Sequence, residues 1–186
     1  PNLSDMTRYD IAQSGQQEIP NTTLKPEKFV SYEAGLKARA KKWQSQISVF
    51  YTNVNDMIMR YPTGNMVGTN YEVQKANIGN GFIQGFELSA NYQLNTEWSL
   101  FGGLAYVRGE VDTYQTSAQV KDREPMNKVH PLQGILGGRW QKPKGWMEVF
   151  TKAADKQDQL SPEDIIDTQR IPPGGTPGYT VFNIRG

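Results

Sequence analysis

The chain has 186 residues with 20 basic and 19 acidic side chains, so its net charge is +1. A balance of this kind argues against a nucleic-acid-binding surface, and we expect no nucleic-acid partner. The absence of cysteine excludes disulfides and thiolate metal sites, and no apolar run reaches the roughly 18 residues of a transmembrane helix.

The chain alternates between apolar and polar residues over several long stretches. In residues 30–40 the even positions are apolar or aromatic, whereas the odd positions are polar or glycine. A strict period of two predicts a strand with one apolar and one polar face. The same reasoning predicts seven strands, the third being preceded by an extended segment at 71–79. They cover residues 30–40, 43–60, 82–94, 98–110, 132–141 and 146–156, and a last strand that begins at Tyr179.

The connections between these strands fall into two sizes that alternate along the chain. Short turns are predicted at 41–42, 95–97 and 142–145, and long polar segments at 61–70, 111–130 and 157–178. The last of these contains Ser161-Pro162-Glu163-Asp164, which has the residues of a capped helix start. Outer-membrane barrels have short periplasmic turns and long extracellular loops. The pattern therefore predicts an all-β fold, an antiparallel up-and-down meander that forms part of a large transmembrane β-barrel.

The four tryptophans support the same interpretation. Trp43, Trp98, Trp140 and Trp146 each lie beside a short turn. Tryptophan is favoured at membrane–water boundaries because its apolar ring carries a polar N–H. We expect the four to form one aromatic girdle, although tryptophans that cap the hairpins of a protein in solution would show the same spacing.

The alternation also predicts which side chains contact lipid. The residues predicted to point outward are Tyr32, Leu36, Phe86, Leu88, Leu100 and Leu104, and those predicted to point inward are Glu33, Glu87, Asn91 and Arg139.

Several motifs resemble the C-terminal barrel region of TonB-dependent outer-membrane receptors. Leu24-Lys25-Pro26-Glu27 leads into Ser31-Tyr32-Glu33-Ala34-Gly35-Leu36-Lys37, and Ala76-Asn77-Ile78-Gly79 leads into Gly85-Phe86-Glu87-Leu88. Two further matches are Pro1-Asn2-Leu3 and the segment from Arg170 to Tyr179, with its Pro172-Pro173-Gly174-Gly175. The order and spacing of these motifs make the resemblance fairly specific.

The resemblance implies a barrel of about 22 strands around a plug. Residues 1–186 would then be a partial receptor barrel without plug and closing strands. The implied function is TonB-energised uptake of a scarce solute, such as a ferric siderophore or haem, across the Gram-negative outer membrane. The implied partners are the bilayer and lipopolysaccharide, the plug of the full chain, TonB through other segments, and a ferric chelate, haem or other solute. The alternatives are a passive or adhesive outer-membrane barrel without a plug, and a soluble sugar-binding β-domain.

Residues in the long loops are the candidates for ligand binding. They are Tyr114, Arg123, Glu124, His130 and Arg170. His130 is the only histidine, and a single histidine without clustered partners does not make a metal site. The sequence contains no nucleophile elbow, phosphate-binding glycine loop or suitably spaced histidine–acid pair, so we expect neither an enzyme nor a cofactor.

Overall fold

The computed structural model describes residues 1–13, 15–114 and 116–186, apart from the side chains of Gln13 and Glu163. The short helices are α1 (Leu3–Thr7) and α2 (Pro162–Ile166). The strands are β1 (Asp10–Gln13), β2 (Gln16–Ile19), β3 (Lys28–Arg39), β4 (Trp43–Val67), β5 (Asn70–Gln93), β6 (Trp98–Thr113), β7 (Asp122–Pro125), β8 (Gln133–Lys142), β9 (Gly145–Ala154) and β10 (Tyr179–Arg185). No helix in these described ranges is long and apolar enough to cross a membrane.

The seven predicted strands are present and pair in chain order. The sequence of neighbours is β3, β4, β5, β6, β8, β9 and β10, and the short β7 pairs with the end of β6. The predicted all-β meander is therefore confirmed. One part of it differs from expectation, because residues 16–19 of β2 pair in parallel with residues 71–74 of β5. The prediction of antiparallel pairing is wrong at this place.

The chain divides into two compact units. Unit 1 consists of residues 1–31, 52–83 and 109–126, and unit 2 consists of residues 32–51, 84–108 and 127–186. Strands β3 to β6 contribute residues to both units.

Unit 1 contains the buried apolar side chains of the described residues. They are Leu24, Val54, Val73 and Val111. In this unit the β1–β2 hairpin lies along β5, and its Glu18 is aligned with Val73. Both side chains of this pair are almost fully buried. The parallel pairing thus provides hydrogen-bond partners for the backbone of residues 71–74, which would otherwise be an open sheet edge.

Strand β4 of unit 1 contains a left-handed residue, Asp56, with φ of 57°. Its carbonyl oxygen accepts a hydrogen bond from the side-chain amide of Asn77 at 2.8 Å. The same amide group accepts from the backbone N–H of Lys25 at 2.7 Å and donates to the Lys25 carbonyl at 2.8 Å. Two residues beyond Asp56, the N–H of Ile58 donates to the Glu27 carboxylate at 2.8 Å. Side chains thus replace backbone partners around the irregularity.

This arrangement explains two of the sequence motifs physically. Glu27 belongs to Leu24-Lys25-Pro26-Glu27, and Asn77 belongs to Ala76-Asn77-Ile78-Gly79. The motifs are about 50 residues apart in sequence and both bind the backbone around Asp56.

Unit 2 contains a continuous antiparallel ladder across β6, β8, β9 and β10. One row of aligned residues is Leu100, Gly138, Val149 and Ile184, and the next is Ser99, Arg139, Glu148 and Arg185. Adjacent rows point to opposite faces of a sheet. The unit therefore has an apolar face and a polar face, in agreement with the predicted separation of Leu100 and Leu104 from Arg139.

Glycine in β8 makes room for two aromatic rings on the polar face. A Cβ atom at Gly137 would lie 2.5 Å from Phe150 Cβ and 2.6 Å from Phe101 Cζ. The two phenylalanine rings have centroids 6.3 Å apart. Any larger residue at position 137 would push this pair apart.

The turns agree with the prediction in part. The turn between β8 and β9 consists of Pro143 and Lys144, and α2 lies in the long segment after β9, as expected. The prediction of a loop at 61–70 is wrong, because β4 continues to Val67 and β5 begins at Asn70. The predicted loop at 111–130 includes the end of β6 and all of β7.

We expect the substitution Asn77→Leu to destabilise unit 1 by about 1–3 kcal/mol, because it leaves backbone groups of Lys25 and Asp56 without their partner. Chemical unfolding of the full-length protein would measure the loss. Asn91→Leu, at an exposed strand position, is the control. Equal effects of the two substitutions would contradict a specific role for Asn77.

Candidate functional site

The five predicted ligand-binding residues do not form one cluster within a unit. Tyr114, Arg123 and Glu124 belong to unit 1, and His130 and Arg170 belong to unit 2.

In unit 1 the candidate residues lie against the C-terminal parts of β4 and β6. The rings of Tyr61 and Tyr114 meet edge to face with centroids 5.5 Å apart. Gln119 donates to the Tyr61 hydroxyl at 3.2 Å and to the Pro62 carbonyl at 3.0 Å. The segment after β6 thus folds back onto β4 and presents an aromatic pair beside an amide.

The charged residues of this segment are paired. Arg123 forms an ion pair with Asp112 at 2.6 Å, and Lys121 approaches the other oxygen of the same carboxylate at 3.5 Å. Lys121 also donates to the Ile78 carbonyl at 2.9 Å. Glu124 is half-buried in the short β7. These contacts order the segment, and the side chain of Arg123 remains 44% exposed.

Unit 1 also holds a charge cluster that the sequence did not predict. Glu18 is 1% exposed and lies 3.4 Å from Arg60 and 3.9 Å from Lys75. Lys75 in turn contacts Asp5 of α1 at 2.5 Å. Buried charges are tolerated only when they are paired, so this cluster fixes α1 and β2 to strands β4 and β5. Only the assembled sheet brings these residues together.

In unit 2, His130 is exposed beside a cavity of about 340 Å³. Most of the lining is apolar, and Lys128, which has a left-handed backbone with φ of 62°, lies at its border. The apolar lining residues are Val129, Pro131, Ala154, Leu160, Ile171, Pro177 and Tyr179. A cavity with apolar walls and a few polar groups is suited to a small part of a larger ligand.

The loop that forms one wall of this cavity is closed at its base. Gln157 and Thr176 exchange backbone hydrogen bonds of 2.9 and 3.1 Å. The Gln157 side chain donates to the Val129 carbonyl at 2.5 Å. Gly175 has φ of 99°, and a Cβ there would collide with the Gln157 carbonyl. The loop is thus preorganised.

Arg170 lies within the same loop and is paired with Asp167. The hydrogen bond from the Arg170 guanidinium lowers the pKa of the Asp167 carboxyl group, and the same contact raises the pKa of Arg170. The arginine side chain is 83% exposed. It is accessible to a ligand, but it is not among the residues that line the cavity with His130.

No group of three or more histidine, cysteine, aspartate or glutamate residues suited to a metal ion occurs among the described residues. Ser161 is the N-cap of α2: its hydroxyl accepts from the N–H of Asp164, and the Asp164 carboxylate accepts from the N–H of Ser161.

The polar face of unit 2 is dominated by one buried carboxylate. Glu148 accepts from Arg139 at 2.9 Å and from Arg185 at 2.5 Å. Its side chain is 6% exposed, whereas those of the two arginines are partly exposed. The two cations around one anion leave an excess of positive charge on this face.

The four tryptophans lie at the same end of the strands of unit 2. Trp98 and Trp140 are aligned in the ladder, and Trp43 is the first residue of β4, where its carbonyl closes the turn to Ala40 at 2.8 Å. Trp146 is aligned with Gln141, so its ring lies on the polar face, 4.6 Å from the Arg139 guanidinium. It shares the level of the other three but not their face. The girdle that we propose therefore consists of Trp43, Trp98 and Trp140.

We expect α1 to detach from unit 1 in acid. The backbone N–H of Asn2 and then the ammonium of Lys75 lower the pKa of the Asp5 carboxyl below its ordinary 3.8. A lowered pKa in the folded state means that the stabilisation is present at neutral pH and is lost as the pH falls below about 4. The protection factors of residues 3–9 in amide hydrogen exchange, compared at pH 7 and pH 3, would measure the detachment. In Asp5→Asn exchange should already be fast at pH 7, and unchanged exchange in that variant would contradict the role of Asp5.

Comparisons with known proteins agree with the geometry. The family described as TonB dependent receptor-like, beta-barrel matches residues 1–186. No curated protein matches the sequence significantly.

Solved structures share the fold at low sequence identity. The copper transporter OprC has 20% identity and a TM-score of 0.69, with 99% of this chain and 26% of that chain covered. The FrpB iron transporter from Neisseria meningitidis, F3-3 variant, has 12% identity and a TM-score of 0.60 over 91% and 25% of the respective chains. The apoprotein form of its F5-1 variant has 14% identity and a TM-score of 0.63 over 87% and 24%. The chain thus spans about a quarter of the structures that it matches.

The family match over the whole chain and the shared fold lead to one assignment. The chain belongs to the family of TonB-dependent receptor β-barrels, which lie in the outer membrane of Gram-negative bacteria and act as transporters rather than enzymes.

Proposed function

We propose that this chain supplies wall strands and extracellular loops to a receptor for TonB-energised uptake of a metal-containing solute, such as a ferric siderophore or haem. The similar structures are named as copper and iron transporters, which supports a metal-containing solute. The plug, TonB and the solute are the proposed partners of the whole protein, and the bilayer and lipopolysaccharide surround it. Membership of an outer-membrane family contradicts the alternative of a soluble sugar-binding domain.

The observation that supports the wall function is the exposed apolar face of unit 2. Phe182 and Ile184 of β10 are 81% and 70% exposed, and Leu136 of β8 is 65% exposed. These residues lie on the same face as Leu100 and Leu104. A continuous exposed apolar surface of this kind is rare in water and is expected for strands that contact lipid.

The observation that supports ligand binding by the loops is their preorganisation. In unit 1, Tyr114 and the exposed Arg123 lie on a segment that is held against β4 and β6 by a ring contact with Tyr61, a hydrogen bond and an ion pair. In unit 2 the clasp at Gln157 and Thr176 holds the loop beside His130. Preorganised loops lower the entropy lost on binding. We propose Tyr114, Arg123, Glu124, His130 and Arg170 as ligand-binding residues, within two separate loop regions.

The lipid-facing assignment predicts different effects for two positions of β5 that are three residues apart. Leu88→Arg places a charge on the apolar face and should cost about 2–4 kcal/mol near the middle of the bilayer. Asn91→Arg places the same charge on the polar face and should cost little. Unfolding of the full-length receptor from lipid vesicles, with tryptophan fluorescence as the signal, would compare the two. A similar cost for both would contradict the assigned faces.

The transport assignment predicts TonB-dependent growth on an iron source. A strain that lacks its own receptors should, with the full-length gene, grow on one member of a panel of ferric siderophores and haem under iron limitation. Growth should be lost when TonB is deleted. The variant His130→Ala should raise the solute concentration needed for half-maximal growth, whereas Lys144→Ala in a short turn should not. Growth that persists without TonB would instead indicate a passive barrel.

A further inference from the structure

The short turns of unit 2 hold an unusual number of lysines. Lys41 and Lys42 join β3 to β4, and Lys142 and Lys144 lie at the turn between β8 and β9. All four are exposed. The turn between β5 and β6, at residues 94–97, contributes the single carboxylate, Glu97.

Backbone hydrogen bonds connect these turns into one surface, here called the lysine surface. The Lys42 carbonyl accepts from the N–H of Gln93 at 2.6 Å, and the Lys42 ammonium donates to the Leu94 carbonyl at 3.3 Å. On the other side, the Glu97 carbonyl accepts from the N–H of Gln141 at 2.8 Å. The lysines of the outer two turns therefore lie on either side of the middle turn.

The only carboxylate of these turns is already occupied. One oxygen of Glu97 accepts from the indole N–H of Trp140 at 3.3 Å and lies 3.5 Å from the Lys142 ammonium. Lys142 also lies 5.6 Å from the centre of the Trp140 ring. One lysine charge is thus balanced, and the lysine surface retains a positive charge.

The lysine surface adjoins the apolar face at the level of the tryptophans. Lys42 precedes Trp43 directly, and Lys142 follows Trp140 by two residues. A strand advances about 3.4 Å per residue, so the ammonium groups lie just beyond the rings. Tryptophan marks the level where acyl chains end, and lysines beyond it extend into the headgroup layer.

The long connection between β9 and β10, at the far end of β9 from its short turn, has the reverse charge. The segment 155–178 contains five acidic residues and two basic ones. The short turns therefore carry a net positive charge, which complements a negatively charged headgroup.

We propose that the lysine surface binds the phosphate groups of anionic phospholipids, phosphatidylglycerol and cardiolipin, in the periplasmic leaflet of the outer membrane. The inference rests on the barrel assignment, which places short turns on the periplasmic side. Clusters of lysine near a membrane surface attract anionic lipids by a screened Coulomb interaction. The lipopolysaccharide of the outer leaflet is excluded as the occupant by this orientation.

The test uses the full-length receptor in vesicles of phosphatidylcholine with a minor fraction of phosphatidylglycerol. Bromine is placed on the acyl chains of one lipid or the other, and tryptophan quenching is compared at equal bromine content. For the natural protein we expect brominated phosphatidylglycerol to quench about two-fold more at low salt, and the preference to disappear at high salt.

The variant with Lys41, Lys42, Lys142 and Lys144 changed to Gln should lose the preference. A matched control changes Lys25, Lys28, Lys121 and Lys128 to Gln and should keep it at the same change in net charge. Heat-dependent gel mobility shows whether each variant is folded. If the quadruple variant does not fold, Lys41→Gln with Lys144→Gln should reduce the preference by about half.

Three results would overturn the proposal. They are equal quenching by both lipids in the natural protein, an equal loss of preference in the control variant, and displacement of phosphatidylglycerol from the lysine surface by added lipopolysaccharide. The growth test above is independent of these measurements, since a receptor can transport without a preference for anionic lipid.

Discussion

The need to satisfy every backbone N–H and C=O group in lipid determines most of this structure. An unpaired group in the bilayer costs several kcal/mol, so a strand there must give both of its edges to neighbours. The ladder across β6, β8, β9 and β10 meets this demand residue by residue. Because the ladder fixes the register, it also fixes the faces, and the row of Leu100 and Val149 is separated from the row of Arg139 and Glu148. That register determines which apolar side chains are exposed on one face. It also determines the level of the tryptophans and the position of the lysines.

Where the ladder of backbone partners is interrupted, side chains take its place. Asp56 adopts a left-handed conformation within β4, and the side chains of Asn77 and Glu27 bind the backbone groups around it. The parallel β2–β5 pairing serves the same purpose at residues 71–74, and the buried Glu18 with its partner Lys75 holds β2 in position. The backbone arrangement of unit 1 thus depends on a few specific polar side chains, whereas that of unit 2 depends on regular strand pairing.

The sequence predicted features that depend on neighbouring residues in the chain, such as strands and their faces. It did not predict features that depend on contacts between residues far apart in the chain. Alternation of period two was sufficient for seven strands and for the faces of Leu100 and Arg139. It failed at residues 61–70, where the polar composition indicated a loop. Pairing across the two-residue turn at Gly68 and Thr69 keeps the residues on either side of that turn in strands. The face of Trp146 could not be predicted, since alternation in β9 is weak and only its alignment with Gln141 determines it. The Glu18 cluster combines residues from α1, β2, β4 and β5. Their spacing in the sequence does not indicate that they contact each other.

The clasp between Gln157 and Thr176 has a consequence for how far the loop between them can vary in sequence and length. The backbone hydrogen bonds between Gln157 and Thr176 fix the distance between the two ends of the loop. The positions of the flanking strands β9 and β10 therefore do not depend on the residues within the loop. Doubling the length of a loop that is closed at its base costs only about 0.6 kcal/mol in closure entropy. The segment can therefore be exchanged as a cassette. A replacement of this segment would leave undisturbed the alignment of Tyr179 with Ala154, where the barrel wall resumes.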